Sequence, residues 1–364
     1  MNPLKIKTDD KRINELRELR RYDLIYIWGS GSYSKDIIDY IRVAGQYEGS
    51  ITQIVDDAYY TSDKPDVISF SEYLETADRN IPVVFGFYNY LVIIDKKNEW
   101  SSKIPHMYDF HLAVVNGKRL IWDANLAKSR ECEYIKTYNL LSDERSQKTM
   151  QLYLNAATAG EFYELYTACY ERNAYFNRVT ERTKIDTLID CGAYDGDSIH
   201  DFVAVFPDYK TIIAVEPDPA NQQKLVKRIE LESICNVEIL GKGVGAKRHF
   251  LNFNSEGASN SFFDNSGNIS IEITTLDDIS SDAVGNIFVK MDIEGSELDA
   301  LRGATNLLRE RHPVLAICVY HKEEDLITIP QFIREIVGDG VYNYFLGFHG
   351  LDLAELVFYA VPKN

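Results

Sequence analysis

Three stretches of the chain concentrate residues able to do chemistry: "TLIDCGAYDGDSIHDF" from Thr187 to Phe202, "AVEPDPAN" from Ala214 to Asn221, and "FVKMDIEGSELDALRGA" from Phe288 to Ala304. In the first, Gly192 and Gly196 form a turn between an apolar strand and a helix, where free backbone donors and a helix N-terminus can approach a ligand. The same window carries Asp190, Asp195 and Asp197. Three carboxylates make an awkward cradle for a pyrophosphate, which is itself anionic, and suit a cationic or zwitterionic ligand. Roughly twenty residues past Gly196, Glu216 ends the next strand, where an acid can accept hydrogen bonds from both ribose hydroxyls. A nucleoside without phosphates fits this combination, and S-adenosylmethionine is the common one.

Methyl transfer from a sulfonium is an in-line displacement, so the acceptor must be aligned and, for an alcohol, relieved of its proton. His321 follows the apolar run "LAICVY" and His349 follows "YFLGF", which places both at the carboxyl ends of strands expected to be neighbours. Asp292 and Glu294 take the equivalent position after "IFVKM". His321 or Asp292 is the expected proton acceptor. Asp292 and Glu294 as a divalent-metal pair conflict with strand alternation, which points alternate side chains to opposite faces, so no metal is expected.

A second glycine loop lies upstream in "LIYIWGSGSYSKDIIDYI", Leu24 to Ile41. Its G-x-G-x-x-S pattern lacks the third glycine that lets helix and strand pack closely. Asp56 or Asp57 could meet a ribose there. NAD or a nucleotide sugar is one reading of this loop; a scaffold, a homo-oligomerisation surface or a substrate-presenting unit is the other. An enzyme working through this loop, or a module that binds without catalysis, is therefore the alternative to methyl transfer.

These motifs need elements to hold them, and the text supplies an alternation of strands and helices in two places. "LIYIW", "SITQIVDD" and "IPVVFGFY" alternate with "YSKDIIDYIRVAG" and "SFSEYLETAD", the pattern of a small parallel α/β unit. From Asp143 to Arg178 helix formers and spaced aromatics take over. The second alternation starts at "KIDTLID" and runs through "TIIAVEP", "VEILGKGVG", "NIFVKMDIEG" and "VLAICVYHK", with "SELDALRGATNLLRER" read as one helix opened by a Ser296–Asp299 capping box. The last strands, "YNYFLGFHG" and "ELVFYAVP", are too close for a parallel crossover. The expected organisation is a Rossmann-like α/β domain over 1–115, a mainly helical linker over 116–180, and a mostly parallel sheet ending in an antiparallel hairpin over 181–364.

A chain of 364 residues exceeds one usual core, in keeping with two domains. The formal charge of −17 would repel nucleic acid and anionic membrane surfaces. The five cysteines lack paired spacing and read as reduced, mostly buried thiols. Neither a secretory signal nor an apolar run of membrane-spanning length is present, and a cytoplasmic location is the expectation.

The second half resembles the FkbM-type methyltransferases of the class I S-adenosylmethionine-dependent fold, from about Ile185 to Val361. "IDCGAYDGDSI" is similar to the family's D-x-G-A-x-x-G-x-S loop, "AVEPDPAN" to its acid-Pro segment, "ITTLDDI" with "FVKMDIEGSELDALRGA" to its T-L-D-D and K-x-D-x-E-G-x-E stretches, and "ELVFYAVP" to its ending. The resemblance implies that Asp190, Gly192, Ala193 and Gly196 line the methionine side of the cofactor. It places Glu216 at the ribose, Gly243 near adenine and Asp292 opposite the reacting methyl. It also implies O-methylation of a sugar or another small molecule.

Overall fold

The computed structural model describes residues 4–61, 64–110, 113–115, 118–120, 122–181, 183–254, 262–263, 269–351 and 353–363. After helix α1 (Lys11–Leu19), five short strands, β1 (Leu24–Trp28), β2 (Ser50–Val55), β3 (Val67–Ser69), β4 (Val83–Phe85) and β5 (Met107–Asp109), pair in the order β3-β2-β1-β4-β5. Every pairing is parallel. Parallel strands need crossovers, and α2 (Ser32–Val43), α3 (Phe70–Thr76) and α4 (Tyr90–Trp100) supply three of them, with a 3₁₀ turn (Asp57–Tyr59) between β2 and β3. The expected Rossmann-like unit is present. The 115/116 boundary drawn from the sequence falls beside residues outside the described set, within a backbone hairpin of β6 (Ala113–Val115) and β7 (Lys118–Leu120).

Four helices follow, α5 (Ala124–Ser129), α6 (Glu131–Leu140), α7 (Glu144–Ala159) and α8 (Phe162–Cys169). The longest, α7, starts where Asp143 accepts from the Ser146 amide at 2.8 Å and stops at Gly160, whose φ of 72° is the left-handed conformation that closes a helix. This segment does more than link. Ser142 and Ser146 offer their hydroxyl oxygens to the amides of Tyr344 and Leu346 at 2.9 and 3.0 Å, and Leu141 and Tyr170 bridge to the same outer strand. An outer strand left with bare amides would template further pairing, and the helices cover it.

That outer strand belongs to a seven-stranded sheet built from β8 (Thr187–Cys191), β9 (Thr211–Val215), β10 (Val237–Leu240), β15 (Ile287–Met291), β16 (Val314–Cys318), β17 (Tyr342–Phe348) and β18 (Leu356–Pro362). The order is β10-β9-β8-β15-β16-β18-β17. It is parallel as far as β16, and the terminal hairpin then closes it antiparallel. The apolar runs of β8, β15 and β16 are buried on both faces, covered by α9 (Asp197–Val205), α10 (Pro219–Glu232) and α14 (Asp325–Val337) among others.

Two sequence expectations change. The stretch after Ser296 is two helices, α12 (Glu297–Arg302) and α13 (Thr305–Arg311), interrupted at Gly303, where an added Cβ would meet the Gly245 carbonyl at 2.2 Å. Ser296 makes no side-chain cap. The expected strand "VEILGKGVG" divides: β10 joins the large sheet, while β11 (Gly243–Val244) joins a small separate sheet with β12 (His249–Asn254), β13 (Phe262–Phe263) and β14 (Ile269–Thr274), followed by the single turn α11 (Leu276–Ile279), a sheet the sequence did not suggest.

Candidate active site

The strand order reverses between β8 and β15, and in an open α/β sheet the crevice outside the carboxyl ends at that point is where ligands bind. Gly192 leaves β8 with φ of 80°, and an added Cβ would sit 1.9 Å from the Asp292 carbonyl. Only glycine lets the two strand ends approach this closely. Gly196, at φ of 88°, begins α9. Ala193 is fully buried, its amide bonded to the Val215 carbonyl at 3.1 Å.

Glu216, past the end of β9, is 5% exposed. Its two oxygens accept from the backbone amides of Tyr194 and Asp218, each at 2.9 Å. Burial pushes this carboxyl up, while the two amides act the other way. The Asn221 side chain also hydrogen-bonds this carboxylate, and with about four lone-pair sites on a carboxylate some acceptor capacity remains for a ligand hydroxyl. Tyr194 itself has φ of 46°, a left-handed value that turns its amide onto Glu216. The glycine loop and the acid after β9 are thus one hydrogen-bonded unit.

Asp190 faces the other way. It is fully buried, accepts from Ser198 Oγ at 2.6 Å, and meets Lys290 Nζ at 3.1 Å from the register-paired position on β15. Lys290 also donates to the Gly192 carbonyl at 2.6 Å. Burial disfavours both charges, but Asp190 and Asp292 more than offset that for Lys290, which stays an ammonium. Asp190 therefore braces the loop from beneath. Asp195 is likewise engaged, by Arg228 at 2.7 Å, and Asp197 accepts from the Ser198 amide. Two of the three negative charges that the sequence places in this loop are matched by cations from β15 and α10, which weakens the electrostatic case against a phosphate ligand and leaves the geometry of Glu216 as the stronger argument.

On the other side of the crevice Asp292 gathers hydroxyls and an imidazole. Tyr175 donates to Oδ2 at 3.1 Å, Tyr320 to Oδ1 at 3.2 Å, and His321 Nε2 lies 3.4 Å from Oδ1. Burial would raise the Asp292 carboxyl, yet His321, Lys290 and the two tyrosines bring it below the ordinary range. His321 is packed among carboxylates: Glu297 Oε1 3.1 Å from Nδ1, and Glu294 Oε2 3.5 Å from Nε2. Burial alone would lower its pKa, but Glu297, Asp292 and Glu294 raise it to about 9, so the ring is a cation at neutral pH. Asp292 and Glu294 lie beyond β15, in a turn where Glu294 has φ of 55° and Gly295 φ of 90°. Strand alternation does not govern them, and both reach the same imidazole.

His349 is not brought to this group. The pairing order puts β18 between β16 and β17, so His321 and His349 do not end neighbouring strands, contrary to the sequence expectation. A hairpin whose second strand inserts inward leaves the first outermost. The His349 ring bonds Tyr359 Oη at 2.7 Å and the Glu171 carbonyl at 2.9 Å, and burial pushes its pKa down to about 4. Gly243 lies buried in β11, paired with Ile273 of the small sheet.

Sequence reasoning missed Lys290, Glu297, Tyr175 and Tyr320. Lys290 had a signal, being the one charge inside the apolar run "IFVKM". Tyr175 had none, because it arrives from 117 residues away.

At the upstream loop, Gly29 has φ of 131°, and an added Cβ would strike Ser34 Oγ at 2.7 Å and the Gly86 carbonyl at 2.8 Å. Ser34 stands where a third glycine was missing and donates to the Gly86 carbonyl at 2.9 Å. Asp56 accepts from Trp28 Nε1 at 3.1 Å and pairs with Lys96 at 3.3 Å. Asp57 accepts from the amide and hydroxyl of Ser71.

A parallel sheet with this order, an antiparallel terminal hairpin and a glycine loop tied to an acid after the second strand define a class I methyltransferase-like fold beside a Rossmann-like unit. Residues 190–344 match the family model of the Methyltransferase FkbM domain, and this part of the chain is an FkbM-type methyltransferase domain. The crystal structure of methyltransferase FkbM from Methylobacillus flagellatus KT is similar over 97% of this chain and 94% of that one, at 22% identity and a TM-score of 0.73. At that identity it shows a shared fold spanning both halves. An rRNA methylase from Streptococcus thermophilus aligns with 50% of this chain and 87% of its own, at 14% identity and a TM-score of 0.33, too low to argue from. No curated protein matches the chain. Among the described residues, no helix is long and apolar enough to cross a membrane.

Proposed function

We propose that this methyltransferase uses S-adenosylmethionine and acts on a hydroxyl of a small molecule, a sugar or glycoconjugate precursor. The observation that carries the reading is the buried Glu216 carboxylate, held by the amides of Tyr194 and Asp218 at the end of β9. Its remaining acceptor capacity, beyond these amides and the Asn221 side chain, suits a ribose hydroxyl. Gly192, Ala193 and Gly196 keep the loop beside it free of side-chain bulk, and Asp190 with Lys290 fixes that loop rather than touching the ligand. The cofactor supplies an electrophilic methyl on a sulfonium. Asp292 and His321 are the residues of this chain suited to orient the acceptor, with Tyr175 and Tyr320 holding the carboxylate in place. As the imidazole is protonated, Asp292 is the group that accepts the acceptor's hydrogen bond and His321 the one that donates. His349, bonded to Tyr359 and Glu171, has a supporting part in the fold.

Isothermal titration with S-adenosylhomocysteine tests the cofactor assignment. Saturable binding that weakens at least tenfold in Glu216→Ala is expected. Undiminished binding in that variant would refute it. Asp292→Asn should retain that binding and lose transfer to a hydroxylated acceptor. The acidic soluble character and appended α/β unit suit work on a surface polysaccharide precursor in the cytoplasm.

A further inference from the structure

Carboxylates flank His321 on opposite sides of its ring. On one side Glu297 of α12 brings Oε1 to 3.1 Å from Nδ1; on the other, Asp292 Oδ1 and Glu294 Oε2 stand 3.4 and 3.5 Å from Nε2. These are charge contacts, since neither ring nitrogen attains hydrogen-bond geometry. Burial separates the two sides. The side chains of His321 and Glu297 are closed to solvent, whereas Asp292 and Glu294 keep 22% and 23% of theirs open. An incoming ligand therefore meets Asp292 and Glu294 first, and Glu297 acts from behind the ring. Glu297 is also tied to the turn that carries Glu294. Its Oε1 accepts from the amides of Ile293 and Gly295 at 2.9 and 3.4 Å, the residues on either side of Glu294, whose φ of 55° is left-handed. Its Oε2 is buried without a hydrogen-bond partner. Of the lysines nearby, Lys290 is taken by Asp190 and the Gly192 carbonyl, and Lys322 donates to the Gly295 carbonyl. The imidazole is the cation in contact with Glu297.

We propose that Glu297 is a positioning residue of the active site: held by the amides of the turn, it fixes His321 from the Nδ1 side, and the ring in turn holds Asp292 and Glu294 together at Nε2 as a pair of hydrogen-bond acceptors facing the crevice. One oxygen thus sets the backbone on both flanks of Glu294 and the place of the ring that Glu294 meets. The other groups facing the ring are Tyr320, whose ring centre lies 4.1 Å away, and Asp325 at the start of α14. Burial pulls the imidazole toward the neutral form; Glu297 opposes this most, Asp292 and Glu294 less, and the ring holds its proton to about pH 9. Burial and Glu297 push the Asp325 carboxyl up to about 7, so it adds negative charge beside the ring only above that pH. That the carboxylate pair receives a hydroxylated acceptor rests on the methyl-transfer reading; the hold of Glu297 on the ring does not.

The test is a pH titration of the full chain, without ligand, followed by nuclear magnetic resonance of its histidine side chains. In the wild type one of the seven imidazoles should keep its proton to about pH 9, a signal that disappears in His321→Gln. Glu297→Gln retains an oxygen for the amides of Ile293 and Gly295 and removes only the charge, so a role confined to bracing the turn would leave the midpoint where it is. A fall of at least about one pH unit, a tenfold loss of proton affinity, is expected instead. Glu294→Gln should lower the midpoint by less, and Glu297→Asp, which keeps the charge, should retain most of the elevation. A wild type with no imidazole protonated above about pH 8, an unmoved midpoint in Glu297→Gln, or a larger fall in Glu294→Gln than in Glu297→Gln would each overturn the proposal. S-adenosylhomocysteine titrated into the wild type reports on the proposed function separately, so the two ideas fail by different signals.

Discussion

At the end of β1 the acid that follows the neighbouring strand, Asp56, is taken up by the Trp28 indole and the Lys96 ammonium, which also sits 4.2 Å over the Trp28 ring. At the end of β8 the corresponding acid, Glu216, is held by backbone amides and buried. The two loops share glycines in left-handed conformations, at Gly29 and at Gly192. They differ in how the acid is engaged. Side-chain partners satisfy the first acid and fold it into a surface cluster. Two backbone amides and the neutral Asn221 side chain hold the second acid, with no cation among the groups that shift its pKa. A glycine loop is a common way to turn from strand to helix, and the partner of the next acid separates a turn from a cradle.

Breaking the second loop should have the largest effect. Gly192→Ala places a Cβ 1.9 Å from the Asp292 carbonyl in a left-handed backbone, and the strain alone costs on the order of 1–3 kcal/mol before the clash is counted. Loss of S-adenosylhomocysteine binding and a markedly lowered Tm are expected. In the first unit, Gly31→Val, at the loop glycine with open space beside it, should leave urea stability and S-adenosylhomocysteine affinity near wild type. Equal damage from both would erase the distinction.

Next comes Lys290→Met, which leaves Asp190 buried without its counter-ion. Removing one partner of a buried pair costs about 3–5 kcal/mol, read as a shift in the urea midpoint. The double variant with Asp190→Leu should recover much of that loss, because both charges are then gone. Replacing Asp56 by Ala at the other loop removes contacts to a half-exposed carboxylate, and a change of less than about 1 kcal/mol is expected.

A pH-dependent effect concerns His349. Its pKa is depressed from 6.5 to about 4 in the folded chain, so the unfolded chain binds more protons between those values. Stability should therefore fall as pH drops through that interval. His349→Gln should be somewhat less stable at neutral pH, from the lost bonds to Tyr359 and Glu171, yet show a shallower decline from pH 6.5 to 4. Parallel slopes in urea titrations across that range would show that another group carries the acid sensitivity.

Much of the fold was legible along the chain, because apolar runs bounded by glycine turns carry a local period. β8, β9, β15 and β16, and the pairing of the last two strands, follow from that period and from connection length. The small sheet holding Gly243 was not, since its strands are short and its pairings join positions far apart in the chain, such as Gly243 and Ile273. Gly303 broke an expected helix for a reason no helical period contains, the approach of the Gly245 carbonyl.

For the site, the sequence by itself determined which residues stand at strand ends: Asp190, Gly192, Glu216, Asp292 and His321 occupy positions that the alternation of strand and helix dictates. Tertiary structure decided what each of them does. It turned Asp190 inward onto Lys290, brought Tyr175 from the helical segment onto Asp292, closed Glu294 and Glu297 around His321, and moved His349 outward behind β18. These outcomes depend on register between strands and on distances between remote segments. A charge or hydroxyl acquires its role from the partner that packing sets within a few ångströms of it, and that partner is seldom a neighbour in the chain.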